Sequence, residues 1–237
     1  MEISLSIVGT AFRKEEQSKC SKQLFNAMYI VADGLIDELK TINYEITHIV
    51  SGGAAGADHV AVQLFLNKRV PHLRLFIPTE FEGGSFYDNG DGDPYKNSGG
   101  TLNHYHRKFQ IATHINSLTQ IQIAKSEGAE LIPVEKGFHA RNALVSKSDF
   151  ILAMTFGNGH EVKDGGTAHT VKCYLDRVRK EGIFDKSFHY DLNSGKIFEG
   201  CTVPKEEEVT DRPIYLKKRI PNFNSGKMPS GFHTYTP

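Results

Sequence analysis

Residues 47–58 read THIVSGGAAGAD, and this stretch decides the fold. The β-branched residues before Ser51 predict a short strand, and the apolar spacing over residues 60–66 predicts a helix directly after the turn. Glycines in such a turn permit positive φ and let a ligand approach the backbone, while the amides of the following helix attract an anion. We therefore predict that this first glycine turn (residues 51–58) binds a phosphate. Its predicted contacts are Ser51, Gly52, Gly53, Gly56 and Asp58.

Outward from this turn, apolar strands and amphipathic helices alternate along the chain. Strands are predicted at residues 3–8, 47–50, 73–77, 130–134 and 149–156, and helices at residues 16–40, 60–66, 104–126, 139–147 and 167–180. This alternation predicts an α/β fold, a Rossmann-like three-layer domain with a mainly parallel sheet. Such sheets bind ligands at the carboxyl ends of their strands, so Gly9 and Thr10, which follow the first strand, join the predicted site.

The predicted domain covers residues 1–200. Residues 79–102 are crowded with Gly, Asn, Asp and Pro and predict a long surface loop inserted into it. Pro133 predicts an edge position or the end of a strand. Residues 188–192 and 197–198, separated by Asn-Ser-Gly, predict a hairpin near the carboxyl end. Residues 201–237 form a predicted C-terminal extension, partly irregular in structure.

Two further motifs carry groups suited to binding phosphate. The second glycine turn (residues 165–170, GGTAHT) again opens a helix after a strand, and its predicted contacts are Gly165, Gly166, Thr167, His169 and Thr170. Arg141 and Asn142 lie near another helix start and offer a guanidinium to a phosphate and an amide to a sugar or base. All three motifs also have a purely structural explanation. The first glycine turn could be a tight packing turn, the second could be an N-capping threonine, and the Arg-Asn pair could be a solvated arginine with a capping asparagine.

Together these motifs resemble the SLOG superfamily, which includes the DNA-processing protein A family and the LONELY GUY phosphoribohydrolases. The resemblance rests on SGGAAGAD, FHARN, SDFILAMTFGN and GGTAHT in that order, and it covers about residues 3–174. It implies a Rossmann-like fold, a nucleotide site formed by these turns, and a homodimer. Gly52, Gly53 and Gly56 match the family's first turn, Arg141 and Asn142 its Arg-Asn step, and Gly165, Gly166 and Thr167 its second turn.

One departure from the family bears on catalysis. LONELY GUY enzymes carry a glutamate three residues after the threonine of the second turn, and it serves in cleaving the N-glycosidic bond. This chain has Thr170 there. The candidate carboxylates that could replace it are Asp58, Glu161 and Asp164.

Composition narrows the classes of function. Lys plus Arg and Asp plus Glu balance at 28 each, which disfavours a nucleic-acid binder because phosphate neutralisation needs a basic excess. The cysteines fit no zinc spacing and no apolar stretch is long enough to span a membrane, so we predict no metal, no membrane association and a cytoplasmic location. No cofactor is identified beyond the nucleotide-like ligand. Three hypotheses remain: a nucleotide-binding or sensor domain, a nucleotide N-glycosidase, and a single-stranded DNA-binding protein.

Overall fold

The computed structural model describes residues 3–93, 96–134, 137–163 and 165–204. Within these residues the fold is α/β, built on a seven-stranded sheet of order β6-β3-β2-β1-β7-β8-β9. Its strands are β1 (Ser4–Gly9), β2 (His48–Ser51), β3 (His72–Ile77), β6 (Glu130–Pro133), β7 (Phe150–Thr155), β8 (Ser187–Asp191) and β9 (Lys196–Glu199), and a separate hairpin consists of β4 (Phe81–Glu82) and β5 (Ser85–Phe86). All neighbouring strands of the sheet run parallel except β8 and β9.

Helices cover both faces of this sheet. They are α1 (Lys22–Thr41), α2 (Ala57–Leu66), α3 (Ser98–Thr113), α4 (Ser117–Ser126), α5 (Gly137–Val145) and α6 (Gly166–Glu181), and a 3-10 helix spans Lys14–Lys19. Buried residues of α1 to α4 form one apolar cluster with inward residues of β1, β2 and β3. Residues of α5 and α6 form a second cluster with the opposite side chains of β1, β2 and β7. Alternating side chains of the central strands thus pack into two cores, one on each face of the sheet. This arrangement confirms the predicted Rossmann-like three-layer architecture.

Two helices that the sequence predicts as continuous are interrupted. The prediction of one helix over residues 16–40 is wrong: α1 begins after Ser21, whose side chain accepts a hydrogen bond from the Leu24 amide at 3.2 Å. The predicted helix over residues 104–126 is two helices, because His114 adopts a left-handed φ of 60° and Asn116 caps α4. In both cases a local polar cap competes with helix continuation, although the apolar spacing runs across the break.

The insertion after β3 is more regular than the predicted loop. Residues 79–102 contain the β4–β5 hairpin and the first turn of α3, which Asn97 caps by accepting a hydrogen bond from the Gly100 amide at 2.8 Å. The glycines of this stretch are typical of turns, which is why the helix start is hidden in the sequence. A Cβ on Gly99 would lie 1.7 Å from the Tyr87 carbonyl oxygen, so glycine here lets α3 pack closely against the hairpin.

The carboxyl-terminal elements follow the sequence predictions. β6 lies at the edge of the sheet, as Pro133 predicts, and β8 and β9 form the predicted antiparallel hairpin. Of the C-terminal extension, residues 205–237 lie outside the described residues. No helix in the described segments combines the length and the apolar character needed to cross a membrane.

Candidate functional site

The site lies at the carboxyl edge of the parallel strands. The first glycine turn follows β2 and the second follows β7, and parallel strands place both turns at one edge of the sheet. The strand order changes direction between β1 and β7, which is where sheets of this kind open a ligand crevice. Gly9 ends β1 at this point, and a Cβ on it would lie 2.2 Å from the Met154 carbonyl oxygen and 2.6 Å from the Ala57 Cβ. Close packing therefore requires the glycine at position 9.

The first glycine turn is buried, and most of its groups are engaged within the protein. Gly56 has φ of 77°, and a Cβ there would lie 2.3 Å from the Thr10 carbonyl oxygen, which accepts a hydrogen bond from the Ala57 amide at 2.9 Å. The Ser51 hydroxyl donates to the Ile7 carbonyl oxygen at 2.6 Å. These contacts fix α2 against the end of β1. The turn's shape is thus set by packing, and its exposed chemistry comes from the side chains that cover it.

Arg141 covers the first turn and connects it to the second. Its guanidinium donates to the Gly52 carbonyl oxygen at 3.1 Å, and a Cβ on Gly52 would lie 2.5 Å from the Arg141 Cζ. The guanidinium also donates to the Asn142 side-chain oxygen at 3.0 and 3.2 Å. Asn142 in turn donates to the Gly166 carbonyl oxygen at 3.1 Å. One hydrogen-bonded chain through Arg141 and Asn142 therefore joins the two turns that the sequence singles out.

The two glycines of the second glycine turn are exposed, whereas Ala168 and Thr170 are buried. Gly165 precedes α6 with φ of 120°, it contributes no side-chain cap, and Gly165 and Gly166 are both exposed. Thr167 is half-buried beside them. The Thr170 hydroxyl donates to the Gly166 carbonyl oxygen at 3.0 Å, so it serves the first turn of α6. The start of α6 therefore offers backbone amides and its dipole to an anion. The Thr170 hydroxyl, which the sequence predicts as a ligand contact, donates its hydrogen within α6.

His169 lies beside another histidine on the neighbouring helix. Its ring is 4.6 Å from that of His139, in an edge-to-face arrangement. Burial lowers the pKa of His169, and the nearby His139 and Lys172 lower it further. The neutral form is therefore favoured at neutral pH, which makes His169 a hydrogen-bonding group toward a ligand more than a positive charge.

Two guanidiniums converge over the first turn. Arg13 and Arg141 lie 5.8 and 5.5 Å from the centroid of the Phe138 ring. Burial lowers the pKa of Arg141, the charge of Arg13 lowers it further, and the nearby Asp58 opposes both. Neither arginine forms an ion pair with a carboxylate in the described part of the chain. The two guanidiniums therefore place positive charge over the first turn, and the buried Asp58 carboxylate partly offsets it.

Asp58 lies beneath this pair of arginines. It is buried, and its carboxylate accepts a hydrogen bond from the Ala54 amide at 3.2 Å. Burial raises the pKa of Asp58, whereas the Arg141 charge and the amide hydrogen bonds oppose that rise. The side chain closes the inner end of the first glycine turn, so Asp58 is placed to position the turn and to hold the charge of Arg141.

A second ionic cluster connects the segments that follow β1 and β7. The Thr10 hydroxyl donates to the carboxylate of Glu16, a buried residue in the 3-10 helix. The Lys163 ammonium lies 2.7 Å from Glu16 and 2.8 Å from Glu15, and the Lys163 amide donates to the Thr155 hydroxyl at 2.9 Å. The cluster thus ties the segment after β1 to the segment after β7.

The sequence predicts no role for four residues that border the two glycine turns, a border that we call the rim: Arg13, Glu16, Lys163 and Phe138, the last of which lies within the FHARN motif. The available signal was position, since Arg13 and Glu16 follow β1, Lys163 precedes the second turn, and Phe138 starts α5. Of the predicted carboxylates other than Asp58, Glu161 is exposed and its backbone pairs with Asn158, and Asp164 lies outside the described residues. Among the described residues, no group of three or more His, Cys, Asp or Glu side chains is placed to hold a metal ion.

The buried His106 supports the first turn, and the buried His59 lies 6.4 Å from His106, measured between ring centroids. His106 Nε2 lies 3.1 Å from the Gly53 carbonyl oxygen and Nδ1 lies 2.8 Å from the Ser117 hydroxyl. Because a carbonyl only accepts, Nε2 carries the proton and Nδ1 accepts from the serine. Burial lowers the pKa of His106 to about 3, with a further contribution from His59, and burial lowers the pKa of His59 to about 4. Both histidines are therefore neutral in the folded protein.

These histidines predict acid sensitivity. Their pKa values in the unfolded chain are about 6.5, so between about pH 6.5 and pH 4 the unfolded state binds more protons and the free energy of unfolding falls as pH falls. We expect a loss of about 1 to 2 kcal/mol for each histidine between pH 7 and pH 5. Urea unfolding at both pH values measures this, and His106→Gln should reduce the loss by about 1 to 2 kcal/mol. An unfolding free energy equal at the two pH values would contradict the assignment.

Comparison with known proteins places the chain beside a viral relative. It is 36% identical over 172 residues to the uncharacterized protein R261 of Acanthamoeba polyphaga mimivirus, and the match covers 71% of this chain and 89% of the relative. No protein-family model matches the chain.

Proposed function

We propose that this chain, which belongs to the same family as protein R261 of Acanthamoeba polyphaga mimivirus, binds the phosphate of a nucleotide or nucleotide-derived small molecule in a sensor or ligand-binding role. The observation that carries the proposal is the chain of hydrogen bonds from Gly52 through Arg141 and Asn142 to Gly166. It brings a guanidinium, an amide and an exposed helix start to one place at the carboxyl edge of the sheet.

Electrostatics support an anionic ligand. Arg13 and Arg141 lie close to one aromatic ring. Burial and the charge of Arg13 lower the pKa of Arg141, and the charge of the buried Asp58 raises it. Desolvation and like-charge repulsion at such a position cost free energy, and a bound phosphate would offset both. Arginine suits this task because its planar fork donates two parallel hydrogen bonds to a phosphate.

The resemblance to the SLOG superfamily supports the same ligand class. On that resemblance we also propose a homodimer, and the absence of zinc spacing and of paired cysteines in the sequence favours the cytoplasm. The balance of 28 basic and 28 acidic residues argues for a small nucleotide ligand over single-stranded DNA. The dimer and the location stay predictions.

Calorimetric titration with AMP, ADP-ribose, NAD and a cyclic nucleotide tests the proposal, with adenosine as the control that lacks phosphate. We expect at least one phosphate-bearing ligand to bind at least tenfold more tightly than adenosine. At a hundredfold excess over its Kd it should add about 2.7 kcal/mol to the free energy of unfolding. No binding by any of them at millimolar concentration would overturn the proposal.

The same incubations, separated by chromatography, address the enzymatic alternative. A binding domain returns each nucleotide unchanged. Free base in molar excess over the protein would instead indicate the nucleotide N-glycosidase. In that case Glu161→Gln, Asp164→Asn and Asp58→Asn would identify the carboxylate on which release depends, since general acid or base catalysis is lost when the carboxyl becomes an amide.

A further inference from the structure

An exposed guanidinium lies over two aromatic rings at the rim, and we call the space over these two rings the slot. The Cζ of Arg13 lies 5.0 Å from the centroid of the Tyr105 ring and 5.8 Å from that of the Phe138 ring. Tyr105 comes from α3 and Phe138 from α5, and both rings are half-buried against the main apolar cluster. The two rings are therefore anchored by the core, whereas the arginine that lies over them is exposed.

The chemistry of the slot matches a planar, delocalised ligand. A guanidinium stacks on aromatic faces because it is flat and its charge is spread over the plane, and a nucleobase stacks on the same faces. Arg13 is exposed and forms no ion pair with a carboxylate among the described residues. It can therefore leave the rings for a stronger partner, and a phosphate at the adjacent Arg141 would be one.

The slot adjoins the proposed phosphate position. The Phe138 ring that faces Arg13 also lies 5.5 Å from the Cζ of Arg141. One ring therefore borders both the aromatic slot and the guanidinium that covers the first glycine turn. A nucleotide has its base and its phosphate joined by one sugar, and this adjacency suits a ligand of that length.

We infer that Tyr105 and Phe138 form the base-binding slot for a nucleotide whose phosphate lies at Arg141, and that Arg13 moves from the rings to the phosphate when the ligand binds. This inference rests on the proposed function and makes it more specific. It assigns the ligand class as a nucleotide with an intact aromatic base.

Titration of AMP and of ribose 5-phosphate into the full chain tests the inference, since the two probes differ only in the base. Stacking makes AMP the tighter ligand by about tenfold or more. Tyr105→Ala should weaken AMP by about tenfold and leave ribose 5-phosphate unchanged. Tyr105→Phe keeps the ring and should keep the affinity for AMP. Tyr105→Leu keeps the apolar packing without the ring, and its affinity for AMP should fall.

Tyr87→Ala is the matched control, because Tyr87 is 65% exposed on the insertion and should affect neither probe. Circular dichroism of each variant establishes whether it is folded. If Tyr105→Ala is unfolded, Tyr105→Leu provides the test in its place. Equal affinity of the wild type for both probes, or an equal loss of both in the leucine variant, would overturn the base slot and leave the phosphate site standing. Failure of the wild type to bind either probe would also overturn the base slot, and failure to bind ADP-ribose, NAD and the cyclic nucleotide as well would overturn the proposed function itself.

Discussion

Replacing Arg141 by glutamine is expected to weaken the binding of AMP about a hundredfold. The guanidinium supplies charge-assisted hydrogen bonds, each stabilising by about 1.5 to 3 kcal/mol, and a hundredfold change corresponds to about 2.7 kcal/mol. Arg141→Lys keeps the charge without the planar fork and should lose about tenfold. Calorimetric titration measures both. Arg179→Gln provides the control, since Arg179 lies exposed on α6 and pairs with Asp176.

The effect of Arg141→Gln on stability must be measured separately from its effect on AMP affinity. Removing the guanidinium leaves the buried Asp58 without the charge that most lowers its pKa. We therefore expect Arg141→Gln to be less stable at neutral pH, and Asp58→Asn combined with Arg141→Gln to regain that stability, because the carboxamide needs no counter-charge. AMP binding should stay weak in the double variant. If the double variant bound AMP as the wild type does, Arg141 would be a structural residue.

Replacing Gly9 by alanine is expected to abolish folding or to cost on the order of 4 kcal/mol or more in the free energy of unfolding. The added Cβ would lie 2.2 Å from the Met154 carbonyl oxygen, which already accepts a hydrogen bond from the Thr10 amide at 2.9 Å. The Met154 backbone on one side and the Ala57 Cβ on the other leave no flexible side chain that could move away. The effect follows from the pairing of β1 with β7 at the point where the sheet changes direction.

Gly34→Ala is the matched control for this loss. Gly34 is exposed in the middle of α1, and a Cβ there meets no atom within 4 Å. Alanine should raise the free energy of unfolding by about 1 kcal/mol, because it loses less backbone entropy than glycine in a helix. Expression yield and urea unfolding of the two variants measure both effects. Wild-type stability in Gly9→Ala would contradict the packing described for the crevice.

The sequence predicts the sheet and the edge at which the turns lie, for a physical reason. Strand and helix periods are local properties of the chain, and the rule that parallel strands end at one edge converts them into a location. The stretch from Thr47 to Asp58 illustrates this, since its strand, turn and helix lie as predicted. Arg141 and Asn142 were also singled out, although their bridging of the two turns depends on tertiary structure.

The remaining features depend on side-chain direction and on contacts between distant segments. Thr170 resembles a ligand contact in the sequence, yet its hydroxyl bonds to Gly166 within α6. Nothing local distinguishes Arg13 from other exposed arginines, because its significance comes from rings on α3 and α5. The breaks at Ser21 and His114 follow from local caps that apolar spacing does not detect.

A crystal structure of the chain with AMP tests the central claim most directly. We expect the phosphate within hydrogen-bonding distance of the Arg141 guanidinium and of the backbone amides at the start of α6, with the chain of hydrogen bonds from Gly52 to Gly166 at its side. Density for AMP at another surface, or a rim that stays free of ligand in crystals of saturated protein, would contradict the account.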